Sequence, residues 1–216
     1  MARLKDEKRR TPSSRAWLER QISDPYVARA KREGFRSRAA FKLAEIDDRY
    51  KVFRPGVRVV DLGAAPGGWS EIAARRVGAK GRVFALDLLD MKPIAGIEFL
   101  RLDFLDPLAP ERLKTMLGEG AAAKANVVMS DMAANATGHR QTDHLRIMAL
   151  AEAAADFARE VLAPGGTFLC KVLQGGTEAA LLAELKRDFA SVKHVKPPAS
   201  RADSAELYLL AKGFRG

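Results

Sequence analysis

Lys171 lies inside Gly166-Thr-Phe-Leu-Cys-Lys-Val-Leu173, an apolar run bounded by Pro164-Gly165-Gly166. Such a run reads as a buried strand of a parallel sheet, where an unpaired ammonium is costly. A lysine placed there needs partners or a task. Asp131 ends another apolar run, Val127-Val-Met-Ser-Asp131, and Glu206 opens the last one, Glu206-Leu-Tyr-Leu-Leu-Ala211. Two carboxylates and an amine at strand ends can move a proton or steady a developing charge.

A second set of residues reads as a cofactor site. Asp61-Leu-Gly-Ala-Ala-Pro-Gly-Gly-Trp-Ser70 leaves one strand and enters a helix. Glycines at 63, 67 and 68 permit a tight turn and close approach to bare backbone, and the helix N-terminus offers free N–H donors. The loop is nucleotide-like without being the dinucleotide fingerprint, because the G-x-G-x-x-G spacing is absent and Pro66 interrupts it. Asp87 ends the next strand, at the distance expected for gripping a ribose diol. Asp103, ending the third, is placed to accept from an exocyclic amine such as adenine N6. A lone acid at a strand end is most often a solvated turn residue; three in succession on one sheet edge suggest a site.

These residues need a scaffold, and the chain supplies a regular one. Strands are predicted at 57–62, 82–87, 97–102, 126–131, 167–173, 192–195 and 207–211. Helices are predicted at 69–77, 109–117, 144–162 (closed by Pro164-Gly165) and 178–189, and Leu150, Ala154, Phe157 and Val161 form the core stripe of the longest. Seven strands alternating with helices make an α/β, Rossmann-like, doubly wound sheet covered on both faces. The polar loop at 133–143 follows the fourth strand, where open α/β sheets place ligands.

The chain has 216 residues, 47% of them hydrophobic, and a net charge of +10. One main domain is expected. Residues 1–54 hold 16 Lys and Arg against 8 acids, whereas the rest hold 21 against 19. A basic N-terminal quarter is the footprint of a polyanion partner, nucleic acid being the commonest. The expected division is a basic, disordered tail at 1–12, a basic helical segment at 13–54 (Trp17, Leu18, Ile22, Phe35 and Phe41 among its apolar residues), and a catalytic domain at 55–216. Neither a membrane span nor an export signal is expected, which places the chain in the cytoplasm. Cys170 reads as a small buried hydrophobe, and with His139, His144 and His194 scattered, no metal site is expected.

Ser37-Arg-Ala-Ala-Phe-Lys-Leu43, the loop at 61–70, Ser130-Asp-Met-Ala133, Leu169-Cys-Lys-Val172 and Ser204-Ala-Glu-Leu-Tyr208 occur in one order. In this they resemble the FtsJ/RrmJ-type ribosomal RNA 2'-O-methyltransferases, the RlmE family, over nearly the whole chain from about residue 13. The resemblance implies a class I methyltransferase sheet of order 3-2-1-4-5-7-6 with strand seven antiparallel. It implies S-adenosylmethionine as cofactor, with Gly67, Trp69, Asp87, Asp103 and Asp131 as its contacts. It also implies a tetrad of Lys42, Asp131, Lys171 and Glu206, and 2'-O-methylation of a uridine in the 23S rRNA A-loop. The expected partner is large-subunit rRNA within the 50S particle, met by a monomer through Arg32, Arg36 and Arg38. One departure is Ala134 with Asn135, where many members have Pro-Asn.

Lys171 is then the candidate general base for a ribose hydroxyl. It must be neutral to serve, yet an aqueous lysine titrates near ~10.4 and adjacent acids raise that. Burial and repulsion from Lys42 act oppositely. A lysine that stays charged would instead stabilise the developing alkoxide. Two other functions fit the same fold: an RNA-binding assembly factor without catalysis, and a ribose methyltransferase for another RNA.

Overall fold

The computed structural model describes residues 24–120, 123–134, 137–174 and 179–216. The tail at 1–12, the apolar residues Trp17, Leu18 and Ile22, Asn135 and Glu178 lie outside the described residues. In chain order the elements are α1 (Pro25–Glu33), α2 (Ala39–Tyr50), β1 (Arg58–Leu62), α3 (Gly68–Val77), β2 (Arg82–Asp87), β3 (Ile97–Arg101) and α4 (Ala109–Leu117). Then come β4 (Ala125–Ser130), α5 (Arg140–Val161), β5 (Leu162–Leu173), α6 (Ala179–Asp188), β6 (Phe189–Val195) and β7 (Glu206–Phe214). All seven strands form one sheet of order β3-β2-β1-β4-β5-β7-β6. β7 runs antiparallel to both neighbours, and the other strand pairs are parallel.

Alternation along the central strands sends side chains to two cores. Val59, Val83, Val127, Met129, Leu169 and Leu210 face α2 and α3. Val60, Leu62, Phe84, Val128, Phe168 and Val172 face α4, α5 and α6. Both faces are thus covered, which is why the central strands read as unbroken apolar runs. Among the described residues no helix is long and apolar enough to cross a membrane.

Two elements depart from the sequence reading. The core stripe of α5 is Met148, Ala151, Ala154, Ala155, Phe157, Ala158 and Val161, whereas Leu150 is only partly buried. Small side chains let this helix lie close to the sheet, so residue size misjudges which face is inward. Pro164-Gly165 also does not end the helix, which stops at Val161 as β5 begins. Ala125 pairs with Leu162 and Val127 with Thr167, so residues between them on β5 bulge out of the ladder. Gly165, at φ +79°, supplies the left-handed turn this bulge requires.

The N-terminal helices are held to the sheet by charge as well as packing. Asp24 caps α1, accepting from Tyr26 N at 2.9 Å, with Pro25 at the first helical position. Its carboxylate is buried and ion-paired with Arg38, the N-cap residue of α2, and with Arg201 (2.8 Å) in the β6–β7 connection. Arg38 also donates to Ala199 O, and Glu45 of α2 accepts from Ala199 N at 2.7 Å. Burial opposes ionisation of Asp24, but the Arg201 hydrogen bond, the Arg38 charge and the Tyr26 N–H outweigh it and hold the carboxyl below its usual range.

A depressed acid contributes stability above its unfolded pKa and loses it as pH falls through the folded value. Asp24→Asn should therefore cost on the order of 2 kcal/mol at pH 7, less than a fully buried pair because Arg201 is a third exposed. Urea unfolding of both proteins checks this, and the gap should narrow as pH falls below about 3.9.

Candidate active site

Lys171 points from β5 toward the residue that follows β4. Its Nζ donates to Asp131 O at 2.7 Å and lies 3.2 Å from Asp131 Oδ1, with only 7% of the side chain exposed. Two strands make this contact possible, because Ser130 pairs with Cys170 and the next residue of each meets across the pleat. The antiparallel β7 starts at the edge where β4 and β5 end, pairing Glu206 with Leu173 and Tyr208 with Lys171. Lys42 reaches the same edge from α2 and donates to both Glu206 oxygens, at 3.0 and 2.9 Å. The four residues meet as two ion pairs, Lys171 with Asp131 and Lys42 with Glu206, rather than as one row of alternating charge.

Tyr208 joins the pairs, and the sequence reading missed it. Its hydroxyl donates to Asp131 Oδ1 at 3.1 Å, and Lys42 Nζ sits 5.8 Å from its ring centroid. Burial, followed by the charges of Asp131 and Glu206, pushes this phenol well above its ordinary range, so it remains a neutral donor. Period two from Glu206 was the available signal: residues 206 and 208 share a face of one strand. Ser204 supports the start of β7, its Oγ accepting from Glu206 N at 3.1 Å.

Beside the tetrad lies the glycine turn between β1 and α3. Gly63 has φ +79°, and a Cβ there would come within 2.9 Å of Met132 backbone atoms. Gly67, at φ +108°, is overlaid by Ile94, Met91 and Arg36, so it too has no room for a side chain. Trp69 is buried, its Nε1 donating to Ala39 O at 3.0 Å and its ring 5.5 Å from that of Tyr208. The indole therefore belongs to the α2–α3 packing, and this residue offers the glycine turn only backbone. Asp87 accepts from Ala65 N (2.9 Å) and Leu89 N (2.7 Å), which fixes the turn against the end of β2. Asp103 is exposed and accepts from Leu105 N at 3.0 Å.

Asp61 was also missed. It is fully buried on β1, accepts from Ser70 Oγ at 2.5 Å, and leaves Oδ1 without a partner. Burial raises its pKa to about 7; the Ser70 bond opposes this, and the charges of Asp131 and Asp87 add to it. Burial likewise pushes the Cys170 thiol up to about 12, as suits an inert core residue.

Of the three arginines expected to face RNA, Arg38 is engaged with Asp24 and Ala199. Arg36 donates to Lys92 O at 2.7 Å and Pro93 O at 2.8 Å, tying the loop after β2 to the glycine turn. Arg32, in the last turn of α1, is exposed.

Fold and site together define a class I methyltransferase architecture, and comparison with known proteins agrees. The FtsJ-like methyltransferase family matches residues 35–214, and the chain belongs to that family. It is 63% identical to the ribosomal RNA large subunit methyltransferase E of Azorhizobium caulinodans, over 99% of this chain and 89% of that one. The protein of the same name from Xanthobacter autotrophicus is 64% identical over 99% of this chain and 84% of its own length. Among solved structures, a Plasmodium falciparum protein assigned as a ribosomal RNA methyltransferase superposes with TM-score 0.75 at 28% identity, covering 84% of this chain and all of that one. A SAM-dependent O-methyltransferase of Thermotoga maritima shares the fold, with TM-score 0.52 at 17% identity over 81% of this chain and 65% of its own.

The Asp61 carboxyl gives the site a measurable signature. Between about pH 4 and pH 7 the folded protein keeps a proton that the unfolded chain has released, so this group lowers stability as pH rises through that window. Chemical unfolding at pH 4.5 and pH 7.5 should show Asp61→Asn gaining on the wild type at the higher pH, by a few kcal/mol.

Proposed function

We propose that the chain is an S-adenosylmethionine-dependent methyltransferase acting on the 2'-hydroxyl of a uridine in the 23S rRNA A-loop, within the 50S particle. The substrate class is supported by relatives named for large-subunit rRNA methylation at 63–65% identity. We place the chain in the cytoplasm as a monomer, with the catalytic domain at 55–216 and the basic segment before it meeting RNA. Arg32 offers an open guanidinium there, while Arg36 and Arg38 contribute only what their internal bonds leave free.

The residues present fit the cofactor. A cationic amino group would satisfy the orphaned Oδ1 of Asp61, and the N-terminus of α3 that follows the turn offers free N–H donors. Gly67, the Trp69 backbone, Asp87, Asp103 and Asp131 are the proposed contacts, with Asp87 on the ribose diol and Asp103 on the adenine amine. When bound, S-adenosylmethionine supplies an electrophilic methyl.

One observation carries the catalytic reading: Lys171 Nζ makes two contacts, both to Asp131, and has no third partner among the described residues. A neutral amine has two N–H donors and one lone pair. Lys171 reaches that form when the ammonium of the resting ion pair gives its third proton to water; Asp131 O and Oδ1 then keep the two donors, and the lone pair is left for the 2'-hydroxyl proton. Tyr208 shares Asp131 Oδ1 and fixes its rotamer, and the Lys42–Glu206 pair orients the ribose from the other side. Lys171 Nζ would take the 2'-hydroxyl proton and pass it to water, freeing the ribose oxygen to accept the methyl that the cofactor would supply.

Lys171→Ala and Lys171→Arg should each abolish single-turnover methyl transfer to 50S particles while binding S-adenosylmethionine normally in calorimetry. Arginine keeps the charge and cannot accept a proton near neutral pH, so a well-folded Lys171→Arg variant at wild-type rate would exclude the base. The wild-type rate should rise with pH through one ionisation. Asp87→Ala, by contrast, should weaken cofactor binding roughly ten- to a hundredfold.

A further inference from the structure

A basic groove lies at the ends of α2 and β7 that are remote from the tetrad. Tyr208, Leu210 and Lys212 alternate along β7 on the face that α2 packs against, and the register sets Val195, Lys193 and Ser191 of β6 beside them. Arg49 and Tyr50, from the last turn of α2, form the opposite wall, and an open hollow of about 450 Å³ lies between. Arg49 and Lys193 are exposed, and Lys212 Nζ lies between the walls, donating to Tyr50 O at 2.9 Å. Among the described residues none that lines the hollow is acidic. Three cations around one hollow without a carboxylate repel one another, and the potential there is positive.

Between the groove and the chemistry the face of β7 is buried, with Val195, Tyr208 and Leu210 packed under α2. Lys212 to Tyr208 is four residues of extended strand, or roughly 13 Å, and the Tyr208 hydroxyl is bonded to Asp131. A polyanion whose reacting group sits at Lys171 can reach the groove by passing outside α2. We propose that this groove holds the phosphodiester backbone of the substrate RNA away from the methylated nucleotide, a contact separate from Arg32, Arg36 and Arg38. The inference rests on the RNA reading above. Arg49 supplies a planar fork for phosphate oxygens, and Lys193 and Lys212 supply point charges.

The test is methyl transfer by the full chain to 50S particles from cells lacking it, measured across a potassium chloride series. The Arg49→Ala/Lys193→Ala double variant should raise KM about tenfold at physiological salt with kcat and cofactor affinity unchanged, and should lower the salt slope by about 2, one per lost phosphate contact. A control pair on the exposed outer face of α6, Lys186→Ala/Arg187→Ala, should leave the slope as in wild type. A groove variant with wild-type KM and slope overturns the groove while the RNA reading stands. Equal losses in groove and control variants reduce the effect to net charge and also overturn it. A wild-type chain that transfers no methyl to the particle overturns both readings.

Discussion

The amine of Lys171 can be buried because Asp131 meets it twice, once with its backbone carbonyl and once with its carboxylate. Isolated in a sheet interior the charge would cost many kcal/mol, and the partner has to arrive from a different strand. That requirement fixes the β4–β5 register at the sheet edge. It also explains why β7 enters antiparallel: only then does a strand begin, rather than end, beside Lys171 and present Glu206 and Tyr208 there. α2 is bound by the same demand, since Lys42 must reach Glu206 while its neighbours Leu43 and Ile46 stay in the core.

Around this contact the protein keeps an unusual density of buried polar groups, and each is handled differently. Asp24 is ionised and clamped by two arginines, which lock the β6–β7 connection, and so the start of β7, against α1 and α2. Asp61 is held close to neutrality by burial, one oxygen bonded to Ser70 and the other free. Tyr208 stays protonated because two carboxylates and a dry environment oppose its ionisation. The two apolar cores on either side of the sheet offset what these arrangements cost, so the local rules of burial are broken at the site and obeyed elsewhere.

Much of this was legible before any coordinates. The seven strands follow from apolar runs punctuated by glycine and proline, and an amine in such a run marked the site by its cost. The order of the strands came from family resemblance, because periodicity says which residues are strands and not which strands are neighbours. Tyr208 and Asp61 escaped because each lies within a strand pattern that explains it as core; only the pairing partner, an acid or a serine from elsewhere in the chain, reveals the polar role. Arg36 and Arg38 looked like open RNA contacts for the complementary reason. A cation in a basic segment looks solvated until the fold brings Asp24 and the carbonyls of Lys92 and Pro93 to it. The α5 stripe was misplaced at Leu150 because alanines, which carry little hydrophobic signal, were doing the close packing.

The central claim is that this site methylates a ribose hydroxyl of large-subunit rRNA by way of Lys171. Mass mapping of ribose methylation across the rRNA of cells lacking the chain, and of the same cells carrying either the wild type or Lys171→Ala, tests it most directly. One A-loop uridine should lose its 2'-O-methyl group, regain it with the wild type and remain unmodified with the variant. An unchanged methylation map in the deleted cells, or full restoration by Lys171→Ala, would contradict the account.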